Sequence, residues 1–129
     1  MKEIIAVIRR HKVPETKDAL RDAGFPGLTI QSVEGRGRQR GIGGWIYEID
    51  PGFNQYAAEK YYADPGMKFI PKRMLTIIAD DNDVQKIVDI LIKKNQTDHV
   101  GDGKIFVCPI ENVYRVRTGA EGPEILHKP

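Results

Sequence analysis

The sequence predicts an α+β fold of two layers, in which a four-stranded antiparallel sheet carries two helices on one face. Two observations lead to this prediction: a strand–helix–strand pattern near the start of the chain, and the same pattern again in its second half. The length of 129 residues is typical of one domain, since single domains commonly have about 100–150 residues. We therefore interpret residues 1–129 as a single domain.

The first unit begins with an apolar, β-branched run at Ile4–Ile8, which predicts a strand. A helix should follow, with Pro14 as its first residue and Gly24 as its C-terminal stop. Its inward stripe is narrow and consists of Thr16, Leu20 and Ala23. Residues Leu28–Glu34 alternate with period two and predict a half-buried second strand.

The second unit repeats this order. Met74–Ala79 predicts a strand, and the acidic run Asp80–Asp83 should provide N-capping side chains for a helix. The helix has apolar residues at i, i+3, i+4 and i+7, which lie on one face: Val84, Ile87, Val88 and Leu91. Gly103–Cys108 predicts the next strand, and the alternation in Val113–Arg117 predicts a short last one.

Two strand–helix–strand units in one small domain pack most simply as a ferredoxin-like βαββαβ sandwich. Both helices then lie on one face of the sheet. The strands alternate aliphatic residues with few charges, so the other face is also apolar. We expect oligomerisation to cover it.

Composition and charge exclude several classes of protein. The net charge of +2, from 20 Lys and Arg against 18 Asp and Glu, is too small for binding nucleic acid or membranes through bulk electrostatics. No apolar run approaches the roughly 20 residues of a bilayer span, and Glu3 interrupts what would be the apolar stretch of a signal peptide. We therefore expect a cytoplasmic protein. The single cysteine, Cys108, excludes an intrachain disulfide, and its distance along the chain from the three histidines gives no indication of a metal site.

A long segment, from about Arg36 to Lys72, separates the second strand from the third. It exceeds the roughly 12–15 residues beyond which a connection without secondary structure is usually functional or disordered. It begins with a flexible, basic stretch and continues through aromatic residues that include Trp45, Tyr47, Phe53, Tyr56, Tyr61 and Tyr62. Aromatic residues and arginine are common at binding hot spots, so we interpret the segment as a protein-docking loop. The alternative is a loop whose aromatic residues pack on its own domain or on neighbouring copies.

Basic residues and glycines occur at the predicted strand ends, which favours an anionic ligand. Gly101 and Gly103 can take the positive φ values that turn successive N–H groups toward a phosphate, and Lys104 adds a charge. Arg115 and Arg117 lie two residues apart and could bind phosphate oxygens bidentately. Composition alone does not decide between a nucleotide site and an ordinary turn beside a solvated strand face.

The run Gly101–Val107, followed by Arg115–Gly119, closely resembles the C-terminal signature of the PII nitrogen-signalling proteins. The resemblance extends to Met1–Lys2 with its following strand, to Gly27–Thr29, to Gly35–Gln39 and to Pro71–Lys72, and so covers nearly the whole chain outside the long segment. It implies a ferredoxin-like subunit in a compact trimer. It also implies ATP or ADP in the clefts between subunits, with 2-oxoglutarate bound beside ATP through Mg²⁺.

The resemblance further implies roles for individual residues. The nucleotide-binding residues would be Thr29, Gly35, Gly37, Arg38, Gln39, Gly101, Asp102, Gly103, Lys104, Arg115 and Arg117. The 2-oxoglutarate site would comprise Gln39, Lys72, Gly37, Gly41 and Gly101. Gln39 would be the residue that contacts Mg²⁺, because an amide carbonyl is a hard oxygen ligand. Two positions depart from the family pattern: Arg40 replaces a lysine, and Asp98 replaces a common glycine before Gly101.

The long segment corresponds to the T-loop of the family, at about residues 37–72, and a short C-terminal tail occupies about 119–129. The loop lacks the usual Arg-Gly-Ala-Glu-Tyr segment that carries the modified tyrosine. Together with Gly66–Met74 it looks like the second of the two PII-like proteins associated with nitrogenase. This implies a non-enzymatic regulator that, with a paralogous partner, binds the dinitrogenase component through the aromatic residues of the loop.

Three alternatives remain. The first is a PII-type regulator of another target, such as an ammonium channel or glutamine synthetase. The second is an RNA-binding module, in which Arg36, Arg38 and Arg40 would contact phosphates; base stacking on this fold needs paired aromatic residues, and the predicted Gly103–Cys108 strand has only Phe106. The third is catalysis, for which no nucleophile with a positioned base is evident, since Ser32 is the only serine.

Overall fold

The structure is a computed structural model that describes residues 1–37 and 69–127. Its helices and strands, in chain order, are β1 (Lys2–Arg9), α1 (Val13–Asp22), β2 (Thr29–Gly35), β3 (Ile70–Ala79), α2 (Val84–Asn95) and β4 (Lys104–Pro109). Short 3₁₀ helices occur at Arg10–Lys12, Asp81–Asp83 and Pro123–Leu126. The strands form one antiparallel sheet in the order β2-β3-β1-β4. This confirms the predicted ferredoxin-like α+β fold.

The core lies between the sheet and the two helices. Side chains of β1 and β3 alternate between the two faces, and on the helix-facing side Ile4 pairs with Ile77 and Ala6 with Leu75. Of the predicted helix stripes, Leu20, Ile87 and Leu91 belong to this core, and Val84 packs against it. The buried apolar residues of the core are Ile4, Ala6, Ile8, Leu20, Leu75, Ile77, Ala79, Ile87 and Leu91.

The predicted end of α1 is confirmed. Gly24 has a φ of 95°, a left-handed conformation that glycine adopts without steric cost. Its N–H donates to the carbonyl of Arg21 at 3.0 Å, and the N–H of Phe25 donates to that of Leu20 at 2.8 Å. These two bonds form a Schellman motif, which satisfies the last carbonyls of the helix. At the other end, α1 begins at Val13, one residue before the expected Pro14.

The predicted capping of α2 is wrong in its detail. The helix begins after the acidic run, as expected, but Asp83 at its N-cap makes no side-chain capping bond. Asp81 instead contacts the N-terminal amino group at 3.1 Å and Lys2 Nζ at 3.3 Å. These charges, from the far end of the chain, attract the carboxylate more strongly than a neutral backbone N–H.

The predicted last strand, Val113–Arg117, is also wrong. Tyr114 forms a single isolated bridge with Glu121, and a turn closes between them through a bond from Gly119 N–H to the Arg115 carbonyl at 2.8 Å. Val116 is 100% exposed, so its place in an alternating pattern does not reflect a buried strand face. These residues therefore form a tight reversal of the chain instead of a strand of the sheet.

The face of the sheet opposite the helices is apolar, and the described residues 1–37 and 69–127 leave it partly exposed. The register places Ile5 between Thr76 and Phe106 across the three strands β3, β1 and β4, and Phe106 is 50% exposed. Met74 lies on the same face, beside Val7. That oligomerisation covers this face remains a prediction.

Candidate functional site

One end of the sheet brings together several of the residues that the sequence assigned to a ligand site. The register pairs Arg9 with Lys72, Gly35 with Ile70, and Val7 with Lys104. The end of β1, the end of β2, the start of β3 and the start of β4 therefore meet here. We call this the loop end of the sheet. It contains Gly35, Lys72 and Lys104 of the predicted site, with Gly37 two residues beyond β2.

A compact loop, residues 97–103, closes over the loop end of the sheet. The carboxylate of Asp102 organises it by accepting hydrogen bonds from the N–H of Thr97 at 2.8 Å and the N–H of Asp98 at 3.1 Å. It also accepts bonds from the Thr97 hydroxyl and from the guanidinium of Arg9. Asp102 was predicted to line the nucleotide site. Its carboxylate is engaged in these internal contacts, so within this chain it shapes the loop.

The pKa of Asp102 lies below its ordinary value. Burial of the carboxyl favours the neutral form and is the largest single influence, raising the pKa. The hydrogen bonds from the Thr97 side chain and backbone, and then the bond and charge of Arg9, act in the opposite direction. Together they outweigh the burial, because each stabilises the charged form. The carboxylate that shapes the loop is therefore ionised at neutral pH.

The two glycines of the loop adopt the conformation that the sequence predicted. Gly101 has a φ of 97° and Gly103 a φ of 108°. At Gly103 a Cβ atom would lie 1.8 Å from the backbone oxygen of Val7, so no other residue fits there without a backbone shift. Asp98, which replaces a common glycine of the family, has a φ of 64°. This is a left-handed conformation, which aspartate tolerates better than most residues.

Two buried basic side chains tie the loop to the sheet. Arg9 is 1% exposed and donates to the Val100 carbonyl at 3.0 Å and to the Thr97 hydroxyl at 3.3 Å, besides its bond to Asp102. Lys72, 6% exposed, donates from Nζ to the Gly101 carbonyl at 2.6 Å. The predicted 2-oxoglutarate residues Lys72 and Gly101 are therefore in direct contact.

Sequence reasoning missed Arg9 and Thr97. A signal for Arg9 was present: a basic residue directly continues the apolar strand Ile4–Ile8, and a charge so placed is seldom buried without partners. Nothing in the sequence indicated which partners, because they lie 88 to 93 residues farther along the chain.

The roots of the long loop also lie at this end of the sheet. The guanidinium of Arg36 lies over the ring of Phe69, with its carbon 5.0 Å from the ring centroid, a distance at which a cation and an aromatic face attract each other. This contact joins the chain leaving β2 to the chain entering β3. The remaining predicted residues of the loop lie outside the described residues: Arg38, Gln39, Gly41, Trp45, Tyr47, Phe53, Tyr56, Tyr61 and Tyr62.

Arg115 and Arg117 lie away from the loop end. Strand β4 runs from Lys104 to Pro109, a span of roughly 17 Å at the usual rise per residue, and Ile110 N–H then donates to the Met1 carbonyl at 3.2 Å. This bond lies at the end of the sheet opposite the loop end. The segment that follows remains there, since His127 contacts Asp80, the residue after the end of β3. Thr29 pairs with Thr76, which is six residues after Ile70 in β3. Because Ile70 lies at the loop end, Thr29 lies away from it too. One chain therefore does not unite all of the predicted nucleotide residues.

Residues 1–37 and 69–127 contain neither a metal-binding cluster nor a membrane-spanning helix. No group of three or more His, Cys, Asp or Glu side chains in these ranges is arranged to hold a metal ion. No helix there is long and apolar enough to cross a bilayer.

Comparison with known proteins identifies the family. Residues 1–120 match the model of the family described as nitrogen regulatory protein P-II. The chain is 46% identical over 123 residues to "Nitrogen fixation nifHD1 region GlnB-like protein 2" of Methanosarcina barkeri, covering 95% of this chain and 96% of that protein. It is 44% identical over 124 residues to "Nitrogen fixation nifHD region glnB-like protein 2" of Methanococcus maripaludis, with 95% and 97% covered.

A relative of the other numbered type is also similar. "Nitrogen fixation nifHD region GlnB-like protein 1" of Methanothermobacter marburgensis is 44% identical over 122 residues, covering 95% of this chain and 99% of that protein. The resemblance that the sequence suggested, to PII proteins and to the second nitrogenase-associated type, is thereby confirmed. This chain therefore belongs to the nitrogen regulatory P-II family.

Proposed function

We propose that this protein is a non-enzymatic sensor of nitrogen status. It binds ATP or ADP together with 2-oxoglutarate, and it regulates nitrogenase by direct, reversible binding of its long loop to the dinitrogenase component. Membership of the P-II family and the names of the relatives, which refer to a nitrogen-fixation region, support this proposal.

The observation that carries the proposal is the hydrogen bond from Lys72 Nζ to the Gly101 carbonyl, at 2.6 Å. Lys72 lies at the root of the long loop, and Gly101 belongs to the loop that would cradle phosphates. An anionic ligand that attracts the ammonium group of Lys72 competes with this bond. Binding at the cradle and the conformation at the loop root are then coupled, which is how a small ligand can shift the population of docking-competent loops.

The described residues fit the phosphates of a nucleotide. The positive φ angles at Gly101 and Gly103 are those that present backbone N–H groups to an anion, and the side chain of Lys104 is exposed beside them. Gln39 and Lys72 would hold 2-oxoglutarate, with the carbonyl of Gln39 toward the Mg²⁺ of the bound nucleotide. Mg²⁺ would neutralise phosphate charge and bring the two ligands together.

Arg115, Arg117 and Thr29 complete the proposed nucleotide site from a neighbouring copy. These residues lie away from the loop end of their own chain. On the apolar face, Ile5 lies beside Phe106, which is half exposed among the described residues. A trimer, or a mixed oligomer with a paralogous chain, would cover that face and bring the arginines of one subunit to the glycine loop of the next.

A calorimetric titration of MgATP, with and without 2-oxoglutarate, tests ligand binding. We expect wild type to bind both, and Gln39→Ala and Lys72→Ala to lose the effect of 2-oxoglutarate. Lys93→Ala, which removes an exposed lysine of α2, is the matched control and should behave as wild type. Because Lys72 is buried, its variant is first checked for an intact thermal transition. A folded wild-type protein that binds neither ligand would refute the proposal.

A second experiment tests the target. Purified protein with its paralogous partner should inhibit dinitrogenase, and MgATP with 2-oxoglutarate should relieve the inhibition. Deleting residues between Gly44 and Lys68 should abolish inhibition while leaving nucleotide binding intact. Unchanged inhibition by the deletion variant would contradict a docking role for the loop. Normal ligand binding without any effect on dinitrogenase would favour another target, such as an ammonium channel or glutamine synthetase.

A further inference from the structure

The C-terminal segment, residues 119–127, folds back onto Arg115. The Nη2 atom of Arg115 donates to the Ile125 carbonyl at 2.9 Å. The backbone of Arg115 is held as well, since its N–H donates to the Ala120 carbonyl at 2.7 Å and its carbonyl accepts from Gly119 N–H at 2.8 Å. The guanidinium group and the main chain of this one residue are thus both fixed by the same segment.

The segment is itself anchored to the body of the protein. His127 Nε2 contacts the carboxylate of Asp80, which directly follows β3 and therefore moves with the sheet. Gly122 N–H donates to the Val113 carbonyl at 3.1 Å. The side chain of His127 is exposed while that of Asp80 is 24% exposed, so the contact is accessible from solvent but rests on a fixed partner.

The fold does not need this segment for its core. None of the residues 110–127 is buried, and the buried core residues of the described part of the chain lie between Ile4 and Leu91. A substitution that releases the segment should therefore leave the domain folded. Its contacts converge on an arginine that, in the proposed function, binds phosphate.

We propose that the C-terminal segment is a positioning element for nucleotide binding. The Ile125 carbonyl fixes the plane of the Arg115 guanidinium, and the contact of His127 with Asp80 latches the segment in place. This proposal rests on the proposed function and adds to it a role for His127, Asp80 and the Ile125 carbonyl.

The physical basis is the conformational entropy of arginine. A long side chain loses much of its rotamer freedom when it binds a ligand, and a side chain already held in its binding geometry loses less. An arginine carries five N–H donors in a planar fork, so a carbonyl at one edge fixes the orientation of the plane without occupying the whole fork. Releasing the latch should weaken MgATP binding by about fivefold to tenfold, the range that side-chain ordering can supply.

The test uses the full-length protein and three variants of the latch. His127→Ala and Asp80→Asn remove or weaken the contact, whereas His127→Gln keeps an N–H donor that can reach Asp80. Glu111→Gln, which alters an exposed carboxylate after β4, is the matched control for Asp80→Asn. Amide hydrogen exchange at Gly122, Ile125 and His127, whose N–H groups are bonded, reports whether the segment is released. Calorimetry reports the affinity for MgATP.

The proposal predicts faster exchange and about fivefold weaker MgATP binding for His127→Ala, with His127→Gln close to wild type. In an Arg115→Ala background the His127→Ala substitution should have no further effect on affinity, because the segment acts through Arg115. Faster exchange without loss of affinity would overturn the proposal, as would an equal loss with and without Arg115. Absence of MgATP binding by wild type would refute the proposed function and, with it, this inference; binding by wild type with unaffected variants would refute the inference alone.

Discussion

At the scale of single residues, Asp102 determines the shape of the candidate phosphate cradle. Two N–H groups, a hydroxyl and the guanidinium of Arg9 all donate to its carboxylate. Arg9 has no exposed side-chain surface, so a change at Asp102 removes a carboxylate that contacts a buried cation. Such losses are costly, because the remaining charge stays desolvated.

The depressed pKa of Asp102 makes its contribution to stability depend on pH. The stabilisation is fully present above the unfolded-state value of 3.8 and is lost as the pH falls through the lower folded-state value. Asp102→Asn should therefore be less stable than wild type at pH 7 by about 1–3 kcal/mol, and the difference should narrow as the pH falls below about 3.8. Urea unfolding at several pH values measures it. A difference that is independent of pH over this range would contradict the assignment.

At Asp98, by contrast with Asp102, a substitution should stabilise the fold. Its φ of 64° is a left-handed conformation that costs an L-residue about 1 kcal/mol. Asp98→Gly should remove this strain and raise the free energy of unfolding by up to about 1 kcal/mol, less the entropy that glycine adds to the unfolded chain. The backbone N–H of residue 98 still donates to Asp102 in the variant. Thermal unfolding measures the change, and a lower melting temperature would show that the aspartate side chain stabilises the turn.

At the scale of elements, local pattern predicted the helices and strands well. The period of the Val84–Leu91 stripe and the apolar runs of β1 and β3 reflect burial against one core, which a single segment encodes by itself. The errors arose where distant charges or chain reversals decide the outcome. Asp81 turns to the N-terminus and Lys2 instead of capping α2, and Val113–Arg117 closes a turn instead of joining the sheet.

The candidate site was predictable to a similar extent. The glycine pattern predicted the positive φ angles at Gly101 and Gly103, because few other residues adopt them. The contacts that hold the loop, from Arg9 and Lys72, join residues 29 to 93 positions apart and leave no local periodicity. The positions of Arg115 and Arg117 depend on how β4 crosses the sheet, which the sequence around them does not encode.

At the scale of elements, the close approach of β4 to β1 at Gly103 should be essential for stability and for MgATP binding. In Gly103→Ala the added Cβ would lie 1.8 Å from the Val7 oxygen, so β4 and β1 must separate locally. We expect a loss of about 1–3 kcal/mol in the free energy of unfolding and strongly reduced MgATP binding. Gly27→Ala is the matched control, since nothing lies within 4 Å of its Cβ position, and should behave as wild type. Wild-type affinity in Gly103→Ala would show that the cradle does not bind the nucleotide.

At the scale of the whole molecule, the account requires two copies of the chain for each nucleotide. Lys104→Ala and Arg115→Ala should each weaken MgATP binding strongly when purified alone, to a low affinity that calorimetry at high MgATP concentration still measures. After the two variants are mixed and allowed to exchange subunits, about one cleft in four should contain both native residues, if subunits combine at random. Calorimetry of the mixture measures the recovered sites. Failure to recover binding in a mixture that demonstrably exchanges subunits would place both residues in the same copy.

The central claim is that this protein senses two ligands at one coupled site, at the end of the sheet where Lys72 contacts Gly101. The most direct measurement is a pair of calorimetric titrations: 2-oxoglutarate into protein with and without MgATP, and MgATP into protein with and without 2-oxoglutarate. The account predicts that each ligand lowers the Kd of the other by the same factor, as linkage requires, and that Lys72→Ala abolishes this enhancement. Binding of either ligand that is unaffected by the other would contradict it.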